Sequence, residues 1–329
     1  MKATSFRFVP WRGSRGLLAG VACGVVGVLA IAGCGTDGGE KPSAAGVSAY
    51  AAAAGSVPYG PMTGATGPAG DGAPPIAAAP LAGVPQSMGS RPVFALADHP
   101  LFAQHSGVGR GECKLPAWHD DAESARALYQ RAIGCLDDSW GSTLRSVGLP
   151  FHTPRLAAPA KAVAADTACA GELRRAPAAL YCAADETIVM PFDALRSRTA
   201  GSSRGAQLAM LTREYGHHVQ ALIGIMRAYT DKRTAVGWDS AAGQEQSRRM
   251  DLQAWCFAGM FLGTNYGRGD LDQQTWDEAS RRSGVAGDSP GDPRLHGIDR
   301  SVLNWFTWGS EKGDTWECNT WYSAAATVE

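Results

Sequence analysis

The chain has 329 residues, 45% of them hydrophobic and 19% charged, with a formal net charge of −1 and 8 cysteines. A near-neutral balance without a basic patch argues against nucleic acid as a partner.

Lys2, Arg7, Arg12 and Arg15 form a basic start with no acidic residue, and "LLAGVACGVVGVLAIA" (17–32) follows as an apolar run. This is the layout of an export signal. The run is also close to the roughly 17 residues that an uncleaved membrane anchor needs. Ile31-Ala32-Gly33-Cys34 resembles a bacterial lipobox, with Cys34 as the residue that would be lipidated and become the mature N-terminus. Either reading puts the remainder outside the cytoplasm. The expectation is a lipoprotein signal peptide over 1–33 and a protein lipid-anchored at the extracellular face of the cell membrane.

Residues 34–92 are dominated by Ala, Gly, Pro and Ser and hold almost no large apolar side chain. Such a stretch cannot bury a core and is expected to act as a disordered tether, with a coil reach of roughly 40 Å. Residues 93–329 carry the tryptophans and the remaining cysteines, and suit one domain. Cys113, Cys135, Cys169, Cys182, Cys256 and Cys318 are even in number and in an oxidising compartment, which favours disulfides over thiol chemistry. Of the 15 possible pairings, sequence proximity favours Cys113–Cys135 and Cys169–Cys182, leaving Cys256–Cys318.

Within this domain "AESARALYQRAIGCL" (122–136) carries a helical stripe, Ala125, Leu128, Ala132 and Leu136. "ETIVMP" (186–191) is the best strand candidate, ended by Pro191. A long helix is expected from Ser203 to Tyr229, with Ser202 or Ser203 as N-cap. Its apolar positions Leu208, Leu211, Tyr215, Val219, Leu222 and Met226 fall in one sector at 100° per residue, and Arg213, His217 and Gln220 fall opposite. That pattern predicts one core face and one polar face. A second helix is expected from Asp239 or Ser240 to Leu262. After residue 283 the signals are loop-like, and Trp305, Trp308, Trp316 and Trp321 either form a ligand platform or pack beside a disulfide.

The stretch "LTREYGHHVQ" (211–220) follows the zinc-protease pattern H-E-x-x-H from its second letter onward. In that pattern two histidines four apart on a helix hold zinc and the glutamate polarises the attacking water. "EYGHHVQ" together with the later "LQAWCFAG" resembles the bacterial neutral zinc metallopeptidase family, whose members read approximately HEYGHHVQ and ELQADCFAG. "CLDDSW" (135–140), "YCAADETIVM" (181–190), "HG" (296–297) and "CNTW" (318–321) extend the resemblance over the domain. The resemblance implies a zincin-like α+β fold, mostly helical with a small sheet and stabilised by disulfides.

It also implies Glu214 as general base, His217 as a metal ligand and His296 as a possible oxyanion contact. Three positions depart from it: Arg213 replaces the first histidine ligand, Asp251 stands for the glutamate ligand, and Trp255 stands for an acid that orients a ligand. Arginine stays protonated and offers no lone pair. At about 4 Å in an effective dielectric of about 20, a unit charge pair is worth about 4 kcal/mol, and a divalent ion doubles the repulsion. The expected arrangement puts the Arg213 guanidinium in the metal's position, paired with Asp251 and Glu214 and faced by Trp255; the bland alternative points Arg213 to solvent. His218 lies 100° away from His217 and reads as structural.

The function expected on this basis is a lipid-anchored family member with a degenerate metal site, binding a peptide or protein partner in the old cleft by strand addition at 186–191. The alternative is an active zinc-dependent metalloendopeptidase using Glu214, His217, Asp251 and a further ligand; a purely structural envelope role is a third. No cofactor is expected unless the site holds zinc.

Overall fold

The sequence writes its helix starts in side chains that satisfy otherwise orphaned backbone N–H groups. In a computed structural model that describes residues 96–196 and 202–329, Asp121, Ser203, Ser240 and Asp272 each accept a hydrogen bond from the N–H three residues on. The signal peptide, Cys34 and the tether expected from the sequence lie outside the described residues. In chain order the elements are α1 (Pro100–Ala103), α2 (Ala122–Ser146), β1 (Arg155–Ala157), α3 (Ala170–Arg175), β2 (Leu180–Cys182) and β3 (Thr187–Val189). Then come α4 (Phe192–Arg196), α5 (Arg204–Leu222), α6 (Ile225–Val236), α7 (Ala241–Thr264), α8 (Gln273–Ser283) and α9 (Asp299–Lys312). The fold is α+β and mostly helical.

The stripe read in α2 is buried, and the helix continues past it to bury Trp140 and Leu144 as well. Trp140 meets Phe257 of α7 edge-on, with ring centroids 4.9 Å apart.

The helix expected from 203 to 229 is two helices. Gly224, at φ +83°, adopts the left-handed conformation that a side chain resists, and the chain turns there between α5 and α6. The apolar repeat runs on across the break, from Leu222 to Met226, so periodicity alone hides it. The expected polar face of α5 is also absent: Arg213, His217 and Gln220 are buried with the rest. Helix α7 packs against α5 and comes very close: a Cβ on Gly216 would lie 2.9 Å from the Ala254 carbonyl oxygen. This crossing brings residues 213–217 of α5 against residues 251–255 of α7.

Helices α8 and α9 were not anticipated. In α9 the buried Val302, Trp305, Phe306 and Gly309 repeat at helical spacing and face α7, a stripe the surrounding Gly- and Pro-rich sequence masks.

The strand expected at 186–191 is β3, and it is central. The sheet order is β1-β3-β2, with β1 parallel to β3 (Leu156 opposite Ile188) and β2 antiparallel (Tyr181 opposite Ile188). Both edges of β3 are therefore paired, which removes the expected strand addition at this segment. Disulfides join Cys113 to Cys135, Cys169 to Cys182 and Cys256 to Cys318, tying a loop to α2, α3 to β2, and α7 to the C-terminal segment.

Candidate functional site

The α5–α7 crossing gathers the residues singled out by the motif. Arg213 Nε donates to Asp251 Oδ1 at 3.0 Å, its Nη2 donates to the same oxygen, and its Nη1 donates to Glu214 Oε1. The guanidinium thus joins both carboxylates from inside the protein: Arg213 and Asp251 are buried and Glu214 is 0% exposed. The alternative of a solvent-directed Arg213 does not hold. Trp255, also buried, has its ring centroid 5.8 Å from the guanidinium carbon, the range of a cation–π contact.

His217 lies in the same cluster, with Nε2 3.4 Å from Asp251 Oδ1. Its Nδ1 meets Gln220 Oε1 at 2.8 Å. Gln220 in turn donates to the Met250 carbonyl (2.9 Å) and to Gln253 Oε1 (3.0 Å), and Gln253 donates to the Cys318 carbonyl (3.0 Å). A continuous polar chain therefore runs from the guanidinium to the Cys256–Cys318 disulfide. Gln220 and Gln253 were not assigned from the sequence. Their signal is the repeated glutamine in "HHVQ" and "LQA", whose amides can accept from an imidazole and donate onward at once.

Burial alone would raise the Asp251 carboxyl pKa. The Arg213 charge, followed by the His217 hydrogen bond, overcomes this and holds the group below the usual carboxylate range.

His296 stands beside this cluster with its side chain 44% exposed. Its Nδ1 lies 2.7 Å from Asp288 Oδ1, while Asp288 Oδ2 accepts the backbone N–H groups of His296 (2.8 Å) and Gly297 (3.0 Å). Desolvation works against the imidazolium, but the Asp288 bond and then the Asp251 charge outweigh it, and the pKa is raised. Asp288 is a third residue whose role the sequence does not show; it is one acidic side chain in a loop of Gly and Pro, with no helical spacing to mark it.

His218 points elsewhere, as its position predicts. Nδ1 is 3.1 Å from the Tyr181 hydroxyl and Nε2 is 2.8 Å from the His152 carbonyl. Burial lowers its pKa to about 4, against the raising effect of the His152 bond. It is a neutral structural histidine joining α5 to β2.

Whether these residues suit zinc is a question of donors. Structural and catalytic zinc sites use three or four protein ligands. The cluster offers one imidazole and two carboxylates, both carboxylates are engaged by the Arg213 guanidinium, and among the described residues no three such side chains are placed so that they could hold one ion. A permanent cation at the centre of the donor set does not fit a divalent ion.

Comparison with known proteins is consistent with the motif. A family profile described as "Putative neutral zinc metallopeptidase" matches residues 102–321. Uncharacterized protein YpfJ of Escherichia coli (strain K12) is 29% identical over 204 residues, covering 57% of this chain and 68% of that protein. Uncharacterized protein Rv2575 of Mycobacterium tuberculosis is 30% identical over 174 residues, covering 44% of this chain and 55% of that protein. No solved structure matches the chain.

Proposed function

From the premise that the chain belongs to the neutral zinc metallopeptidase family, we propose that it is an exported, lipid-anchored member that binds a peptide or protein instead of cleaving one. The observation that carries this reading is the Arg213 guanidinium, buried and bonded to Asp251 and Glu214. A metallopeptidase needs a Lewis acid and an activated water at that point. Arginine supplies positive charge but accepts no electron pair from a water or a carbonyl, so Glu214 has no metal-bound water to deprotonate.

Charge counting supports a coordinated replacement. The family pattern places a divalent ion among three carboxylates: the ligand Glu, the base Glu and the orienting Asp. This chain places one guanidinium among two carboxylates, Glu214 and Asp251, with the neutral Trp255 at the third position. Both sets sum to −1 with neutral histidines. Losing one carboxylate offsets the weaker cation, so the net charge buried at the site is unchanged. The partner would meet the site from the side where His296 reaches the surface, since the cluster itself is buried.

One observation favours a zinc peptidase with a rearranged ligand set: Glu214 Oε2 and Asp251 Oδ2 are buried without a hydrogen-bond partner among the described residues. Metal analysis of the purified protein at neutral pH separates the two readings. The expected result is zinc far below one equivalent and no chelator-sensitive peptide hydrolysis above a Glu214→Gln control. Stoichiometric zinc would overturn the proposal. The combined Arg213→His, Asp251→Glu and Trp255→Asp protein is expected to take up zinc, while Arg213→His alone is not.

A further inference from the structure

Far from the Arg213 cluster in sequence, α9 and the C-terminal segment 316–327 enclose a groove of about 930 Å³, a volume that suits an extended small ligand. Its walls include none of the residues assigned to the candidate site. The family match ends at residue 321, so part of one wall, Tyr322 to Thr327, lies beyond the matched region.

Aromatic rings build this groove. Trp308 and Tyr322 are each 41% exposed, and Trp305 forms a buried part of the lining. The polar edges of the indoles are already bonded: Trp305 Nε1 donates to the Thr327 carbonyl at 2.8 Å and, at the surface, Trp308 Nε1 donates to Glu317 at 3.0 Å. Trp316 and Tyr322 lie with centroids 5.0 Å apart at 48°. The Lys312 ammonium sits 4.4 Å from the centroid of Trp308. With both N–H groups bonded within the protein chain, ring surface is what these indoles offer a ligand.

A polar row runs beside these rings. Arg300, Asn304 and Glu311 are spaced along one face of α9 and are exposed. Among the described residues their side chains enter no hydrogen bond or ion pair. A guanidinium, an amide and a carboxylate together offer donors and acceptors while carrying no strong net charge, which disfavours a polyanion or a polycation. A ligand matching both features needs apolar ring faces and a belt of neutral hydroxyls. We propose that this groove binds a neutral oligosaccharide, with its C–H faces on Trp308 and Tyr322 and its hydroxyls on Arg300, Asn304 and Glu311. A proline-rich peptide would also stack on aromatic rings, and its carbonyls would accept from Arg300 and Asn304, but its prolines bring no N–H for the Glu311 carboxylate, whereas sugar hydroxyls both donate and accept. The proposal is independent of the reading of the Arg213 site.

The test uses the full chain with its disulfides intact. Cellotetraose, chitotetraose and maltotetraose are titrated by calorimetry and tryptophan fluorescence, in parallel with the synthetic peptide APPIAAAPLAGVPQ, which copies residues 73–86. The expected result is saturable binding of at least one sugar. Trp308→Ala and Tyr322→Ala should each weaken it at least tenfold, and the exposed-residue variants Asn304→Ala and Glu311→Gln should weaken it several-fold with an unchanged thermal midpoint. Binding of none of the three sugars, sugar binding that all four variants leave intact, or saturable binding of the peptide alone would each overturn the proposal.

Discussion

Two regions of this molecule bring polar and aromatic side chains together in opposite ways. At the α5–α7 crossing, Arg213, Glu214, Asp251 and Trp255 are buried and the cation is bonded to carboxylates on either side. Between α9 and the C-terminal segment, Trp308, Tyr322 and Asn304 are exposed beside an open groove. Charges removed from water must find partners inside the protein, whereas groups left at the surface stay available to a ligand. The family's metal-site motifs thus mark the inward-looking region, and the outward-looking one meets the family pattern only at Asn319 of the CNTW segment.

The sharpest way to break this contrast is to unbalance the buried charges. Asp251→Ala strands the Arg213 guanidinium with only Glu214 and should cost about 3–5 kcal/mol of unfolding free energy in a chemical denaturation experiment. Arg213→Met with Asp251→Leu and Glu214→Gln removes all three charges and should recover most of that loss, because well-packed neutral replacements of a buried ion cluster are often tolerated. Arg213→Met with Asp251→Leu alone would strand the Glu214 carboxylate. A loss below about 1 kcal/mol for Asp251→Ala would mean the guanidinium escapes to water by swinging its stem outward.

The second prediction concerns the tie between the two regions. Cys256 on α7 and Cys318 beside the groove close a loop of sequence separation 62, for which chain entropy predicts a loss of up to about 4 kcal/mol when the bridge is removed. Cys256→Ala with Cys318→Ala should lower the thermal midpoint accordingly. Gln253, which donates to the Cys318 carbonyl, links the disulfide to the His217 chain. An unchanged midpoint would show that the C-terminal segment is held by packing alone.

How much of this could be read from the sequence depends on whether the information was local. The disulfide partners of the two short loops are near neighbours in the chain, and α2 and α7 announce themselves by caps and periodicity. The pairing of Arg213 with Asp251 followed from comparing two motifs with the family pattern. The break at Gly224 did not show, because the apolar repeat continues on both sides of it. The burial of the polar side of α5 did not show either. It depends on α7 covering that side, a contact between segments far apart in sequence that a helical wheel cannot display. The central place of β3 has the same origin, since a strand's neighbours are decided by topology and not by its own residues.

Acidification offers a third, smaller perturbation that reaches neither region directly. His218 is buried with a pKa lowered from 6.5 to about 4, and His99 is lowered likewise to about 4. Between those values the unfolded chain binds more protons than the folded one, so each histidine's contribution is complete above about pH 6.5 and is lost as the pH falls toward 4. The slope should approach about 1.4 kcal/mol per pH unit for each histidine. Asp251, whose folded pKa is also lowered, adds a loss in the same direction only at still lower pH. Denaturation curves of His218→Asn between pH 7 and 4.5 should show a shallower slope than the parent, and an unchanged slope would remove His218 from the account.

The smallest expected effect is also the one that sharpens the contrast most. Trp308→Ala in the groove takes away a ring that is already 41% exposed, so little apolar area is newly lost from the interior and the thermal midpoint should fall by no more than a degree or two. The bonds given up are the one from Nε1 to Glu317 and the contact with Lys312, both at the surface, where such interactions contribute on the order of 1 kcal/mol or less. Trp255→Ala, by comparison, empties a buried site beside Arg213 and should cost about 3–5 kcal/mol. Two tryptophans in one domain would then differ severalfold in what they do for the fold. A large destabilisation by Trp308→Ala would make the groove wall part of the core instead of a surface kept for a ligand.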